Sequence, residues 1–130
     1  MTIVRFSEFL KNILHQITNI LDIKSSDYSY DSDKLFNFKL AGRIDGITPI
    51  EALRGMQLKH KASIIQGLDE LQDGNVRPWA WFLEKYIDNI NYHILALALI
   101  KEIYFADQQE VFHLQKGETP GRVLPGQNEK

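Results

Sequence analysis

The chain contains no cysteine. That one absence excludes a disulfide framework, thiolate-bound zinc and a cysteine nucleophile, and it is compatible with a reducing cytoplasm. Long hydrophobic runs are missing too. The longest, Ile94 to Ile100, falls far short of the ~20 residues a membrane span requires. The N-terminal stretch is apolar only periodically, with Arg5, Glu8, Lys11 and Gln16 breaking it, so it predicts an amphipathic helix rather than an exported segment. No excess of one charge sign exists. A formal net charge of −2 and a pI near 6.1 argue against duplex DNA as a partner, because nonspecific duplex binding needs a basic surface. There is no glycine-rich phosphate loop, and no spacing of Ser, His and Asp marks a nucleophile elbow. What remains is an ordinary globular composition. With 130 residues, 44% of them hydrophobic, the chain is long enough to bury one core without metal or disulfides. The expectation is a soluble, cytoplasmic protein.

Apolar periodicity predicts helices throughout and no convincing strand. Phe6, Leu10, Ile13, Leu14, Ile17, Ile20 and Leu21 recur at spacings of three and four, which predicts a first helix over residues 2–23. The following "KSSDYSYDSDK" is rich in Ser, Asp and Tyr, residues whose short polar side chains compete with the helical backbone, and predicts a loop or cap. A short helix around Leu35, Phe36, Phe38 and Leu40 should end between Gly42 and Gly46. "TPIE", Thr48 to Glu51, is the sharpest local signal: a capping threonine, a proline suited to the first helical position, and a glutamate placed to close a capping box. A long helix should run from there to "QDGN", where Gly74 supplies a left-handed stop. The last helix is predicted over residues 78–106. From Ile94 it is apolar nearly all round, which predicts the central helix that the others enclose. The fold class is therefore an all-α bundle of about four helices without a sheet, two long ones forming an antiparallel hairpin. It forms a single domain over residues 1–106. Residues 107–130, with three glycines and two prolines among "QKGETPGRVLPGQNEK", read as an extended or disordered tail that could serve as an oligomerisation arm.

Three groups of residues could carry chemistry. On the last helix Glu84, Asp88 and Asn91 stand at i, i+4 and i+7 and share a face. Two carboxylates so spaced can hold Mg²⁺ while leaving coordination places for water and phosphate, or they can simply pair with lysines and set helix register. "QLKHK", Gln57 to Lys61, places Lys59 and His60 on the preceding helix. In a hairpin closed at Asp73 and Gly74, residues equally far from the turn lie opposite each other, which sets Lys59 to Ser63 beside Glu84 to Asp88. Lys59 and His60 then either neutralise the carboxylates or help grip a phosphate. Around the first loop Lys24, Asp27, Tyr28 and Asn37 could face a nucleotide, Tyr28 or Phe38 stacking on a base; core packing and helix capping are the alternative. Of Trp79 and Trp81, only one can face inward from the start of the last helix, so the other is a candidate partner-facing anchor.

Taken together, "ILDIKSSDYS", "LFNFKLAGRIDGITPIEALRGMQLKHKASI" and "LEKYIDNINYHILALALIKE" resemble a group of small bacteriophage proteins. Those carry a K-x-x-D-Y loop, an N-F element, a K-H helix and a terminal E-K-x-x-D-x-x-N-Y helix. The group is distantly similar to the all-α MazG-like nucleoside triphosphate pyrophosphohydrolases and to phage nucleotide-modification-associated helical domains. The resemblance covers roughly residues 10 to 104. It implies a homo-dimer or homo-tetramer in the host cytoplasm, a nucleotide or nucleotide-derived ligand, and Mg²⁺ held by Glu84 and Asp88, with Lys59 stabilising charge. On that implication Lys24, Asp27, Tyr28, Asn37, His60, Asn91 and Tyr92 would contact the ligand. The chain departs from the enzymes in spacing its acids E-x-x-x-D, and in reading Gln57, Lys59, His60 and Lys61 where paired glutamates would stand. Three functions follow as expectations: Mg²⁺-dependent pyrophosphohydrolysis, nucleotide binding without turnover, and helical protein–protein interaction.

Overall fold

A computed structural model describes residues 1–28 and 33–108, without the side chains of residues 24–28. These residues form four helices, α1 (Ile3–Tyr28), α2 (Phe36–Asp45), α3 (Pro49–Gln72) and α4 (Trp79–Tyr104), and no strand. The predicted tail lies outside the described residues from position 109 onward.

The punctuation between α2, α3 and α4 follows from local chemistry. Gly46, at a φ of 68°, takes the left-handed conformation that ends α2, and the Ile47 amide donates back to the Gly42 carbonyl at 2.9 Å. Thr48 then caps α3. Its hydroxyl accepts from the Glu51 amide at 3.1 Å while the Glu51 carboxylate accepts from the Thr48 amide at 2.9 Å, so both halves of the predicted capping box are present. The bonds that the Thr48 amide and hydroxyl donate to the Glu51 carboxylate hold its pKa below the ordinary value. At the other end of α3 the Asn75 amide reaches the Glu70 carbonyl, and Gly74 adopts a φ of 86°.

α3 and α4 then fold back as the antiparallel hairpin. Gly67 lies so close to the Trp81 ring that a Cβ there would overlap it. The Arg77 guanidinium stacks 4.3 Å from that ring's centroid and grips Glu70 with two hydrogen bonds, which depresses the Glu70 pKa. α2 closes one side of the hairpin. Leu35, Phe38, Leu53 and Leu99 form the buried core there, with Ile50, Tyr92, Leu95 and Ala96 against it. Lys39 ties this side down by bonding both Asp33 at 2.7 Å and Glu102 at 2.8 Å. The contact lowers the Asp33 pKa and raises that of Lys39.

α1 covers the opposite side and does so incompletely. It runs in the same direction as α4: Phe9 meets Trp79 at the start of α4, and the Leu21 carbonyl accepts a hydrogen bond from Lys34 just before α2. Ile17 is buried, but Ile3, Phe6, Leu10 and Leu14 remain 86%, 52%, 44% and 53% exposed.

Two expectations are corrected. α1 continues through "KSSDY" where a loop is predicted, because a long helix already nucleated adds residues of poor propensity at little cost. The C-terminal half of α4 is not enclosed. Leu99 is fully buried against α2 and α3, yet Ile94, Leu97, Ile100 and Ile103 are exposed. Four helices offer this segment neighbours on one side only, so its all-round apolar character exceeds what the chain itself can cover. Among the described residues no helix is long and apolar enough to cross a membrane.

Candidate functional site

The α3–α4 hairpin has a polar layer between two apolar ones. Toward its open end lie Leu53 and Leu99; toward the turn lie Ile64 and Ile87. Between them Gln57, buried, donates from Nε2 to Asn89 Oδ1 at 3.0 Å. His60 Nδ1 stands 3.8 Å from Asp88 Oδ2, both half-buried. The His60 ring lies 4.9 Å from the Tyr92 ring, which in turn presents an edge-on contact to Phe38 at 6.4 Å. Asn91, one turn after Asp88 on α4, is 5% exposed, and neither its Oδ1 nor its Nδ2 has a hydrogen-bond partner among the described residues. An orphaned buried amide of this kind costs about 1–3 kcal/mol.

The hairpin arithmetic sets Lys59 to Ser63 at the level of Glu84 to Asp88, where His60 meets Asp88, but the whole predicted cluster does not assemble. Lys59 and Lys61 point to solvent. Glu84 is 64% exposed and its nearest cation is the adjacent Lys85, at 3.3 Å. To share a magnesium ion, Glu84 and Asp88 would give up Lys85 and His60. No group of three His, Asp or Glu side chains able to hold a metal exists among the described residues. Asp33 adds no third carboxylate there: it is engaged with Lys39 beside Glu102, several turns of α4 away from Asp88. Asn37 is exposed on the second residue of α2, while Phe38 beside it belongs to the core. The side chains of Lys24, Asp27 and Tyr28 lie outside the described residues, as does Asp31.

A second feature lies on the other side of α4, and sequence reasoning did not single it out. An open groove of about 610 Å³ runs between α1, α3 and α4, lined by Phe9, Ile13, Leu68, Leu71, Val76, Arg77, Trp79, Phe82, Leu83, Tyr86, Ile87 and Ile90. Arg77 is the one charged residue of the lining, and Glu70 neutralises it. Of the two tryptophans Trp81 packs inward on Gly67, whereas Trp79 stands at the rim, 62% exposed. The signal available in the sequence was the width of the apolar stripes. On α1 and α4 they are broader than one neighbouring helix can cover.

The class this geometry defines is an all-α protein of four helices with an apolar groove and a separate polar layer. No protein-family model, curated protein or solved structure matches the chain. The resemblance to phage nucleotide-handling proteins accordingly rests on the short motifs quoted above.

Proposed function

We propose that the chain is a helical interaction module that holds an apolar helix in the groove between α1, α3 and α4. The groove lining carries this reading: twelve residues, one charged and that one already neutralised, offer an apolar trough with no unpaired charge and, besides Arg77, only the Tyr86 hydroxyl and the Trp79 indole N–H as polar side-chain groups. Along α4 it extends from Trp79 to Ile90, about 16 Å or three helical turns. A trough of that length fits side chains at i, i+3 or i+4, and i+7 of a docked helix. Trp79 at the rim supplies the kind of large, partly bare anchor that dominates such interfaces. The polar layer then fixes the register of α3 on α4, a role for which buried polar groups are best attested.

A synthetic helical peptide with leucine at i, i+4 and i+7, titrated while tryptophan emission is followed, tests this. The expected result is a saturable shift, abolished by combining Leu71→Asp with Val76→Asp, both exposed positions, at unchanged helicity. A shift that ignores these substitutions, or no shift, would overturn the reading.

One observation favours a second reading, nucleotide binding with Mg²⁺-dependent pyrophosphohydrolysis: the unpaired, buried Asn91 amide beside the His60, Asp88 and Tyr92 group. In that reading Asn91 hydrogen-bonds a base edge, Tyr92 lends a stacking face, and Lys59 stabilises phosphate charge while Glu84 and Asp88 hold the metal. Pyrophosphate release from a panel of nucleoside triphosphates with Mg²⁺, lost in Glu84→Ala and in Asp88→Ala, would promote it. Turnover that survives both substitutions would remove the metal mechanism.

A further inference from the structure

We infer that the groove takes the amphipathic helix of a partner protein in one direction only, antiparallel to α1 and α4, with the acceptor-rich C-terminal end of that helix at Trp79. This rests on the groove being a helix site and names which helix it selects. The polar side chains of the lining are Arg77, Trp79 and Tyr86, and the first two stand together at the end nearest the α3–α4 turn. Both are donors without acceptor capacity. The Arg77 guanidinium commits two of its five N–H groups to Glu70. Neither its remaining N–H groups nor the Trp79 indole N–H has a hydrogen-bond partner among the described residues. Glu70 offers no free acceptor in exchange, because it lies outside the lining and Arg77 engages both of its carboxylate oxygens. The opposite end of the trough, at Ile87 and Ile90, is apolar. The Tyr86 hydroxyl, about two turns along α4 from Trp79, can donate or accept and sets no direction.

The two ends of a helix differ in the same way. The last four C=O groups of a helix lack an intrahelical partner, and so do its first four N–H groups. With its C-terminal end at Trp79 the occupant brings bare carbonyls to the Arg77 and Trp79 donors, whereas the reverse orientation sets bare N–H groups against donors. Helix dipoles agree with this choice. α1 and α4 run in the same direction, both begin at this end of the trough, and neither has an acidic residue in its first turn. An occupant antiparallel to both brings its negative end to their positive ends. An acidic side chain in the occupant's last turn adds charge-assisted bonds to the same donors. The partner helix is therefore defined by its chemistry: apolar residues at i, i+4 and i+7, then an acid in the final turn.

Four versions of the leucine peptide test the assignment, carrying glutamate or lysine in the last turn, or glutamate or lysine in the first. Tryptophan emission reports on the relevant end, because the two tryptophans of the chain, Trp79 and Trp81, both stand there. The expected result is that last-turn glutamate binds about tenfold more tightly than last-turn lysine, the scale of one hydrogen bond to a charged group. An isolated helix has the opposite preference, so the difference can come only from the chain. Exchange in the first turn should matter less. A nitroxide on the last turn should quench the emission, and one on the first turn, about 16 Å away along the trough, should leave most of it. Trp79→Phe, at a position 62% exposed, keeps an aromatic ring without the N–H and should narrow the glutamate-to-lysine ratio; an unchanged ratio would overturn the donor role of Trp79. Equal affinities for the last-turn pair, a larger contrast at the first turn, or stronger quenching from the first turn would overturn the direction and leave the groove as a helix site. Absence of binding by all four peptides would remove both. Emission that shifts on dilution without peptide would assign the trough to a second copy of the chain and overturn the inference as well.

Discussion

The two sides of α4 are finished to different degrees. On the α2 side four side chains close a core, Lys39 bonds Asp33 and Glu102 across it, and the chain enters and leaves through capped helix ends. On the α1 side a helix with a broad apolar stripe lies against the hairpin with half of that stripe bare. The α2 side shows what local signals can complete by themselves. The α1 side shows that an amphipathic helix records only that a face must be covered, not by which molecule.

Substitutions break that contrast in order of size. Leu53→Ala, at a position 1% exposed, is expected to cost about 2–5 kcal/mol in urea unfolding. Leu14→Ala on the bare side should change the unfolding of the dilute chain by no more than about 0.5 kcal/mol; equal losses at the two positions would erase the distinction. Gly67→Ala is next, because the Trp81 ring must move or α3 must separate from α4. A loss of about 1–3 kcal/mol is expected, the scale of overpacking, together with a change in tryptophan emission. Asn91→Leu runs the other way. It removes an amide with neither polar atom paired, and a gain of about 1–2 kcal/mol is expected; a clear loss would mean the amide has an essential partner.

The smallest effect is that of pH. Asp33, Glu51 and Glu70 have pKa values lowered by bonds from Lys39, Thr48 and Arg77 respectively. A carboxyl whose folded pKa lies below its unfolded one binds fewer protons when folded. Its contribution is thus present above the ordinary carboxylate range and is lost as pH falls through the folded value. Thermal midpoints should therefore decline on acidification below that range, and Glu51→Gln should flatten the decline. Glu51 is exposed and Asp33 and Glu70 are each about a third exposed, so solvent reaches all three and the slope should weaken with added salt.

Residues with short-range consequences were legible in the sequence. Thr48, Pro49 and Glu51 specified a helix start through bonds made within four residues, and Gly74 specified the turn. Once the turn was placed, counting outward from it put Lys59 to Ser63 beside Glu84 to Asp88, the level at which His60 meets Asp88. Which way Glu84 and Lys59 would point was not legible, because both sit where the helix face turns toward solvent and nothing nearby compels them inward. The extent of α1 was missed for a related reason. Ser25, Ser26 and Asp27 lower intrinsic propensity, but the preceding helix outweighs them. The largest miss was the C-terminal half of α4. Leu97 and Ile100 are as apolar as Leu99, and periodicity cannot say that only Leu99 meets a neighbour within the chain.

The most direct test of the account is titration of the leucine-bearing helical peptide against the chain, followed by tryptophan emission. The expected result is a saturable shift that Leu71→Asp combined with Val76→Asp abolishes at unchanged helicity. No shift, or a shift indifferent to those substitutions, would contradict it.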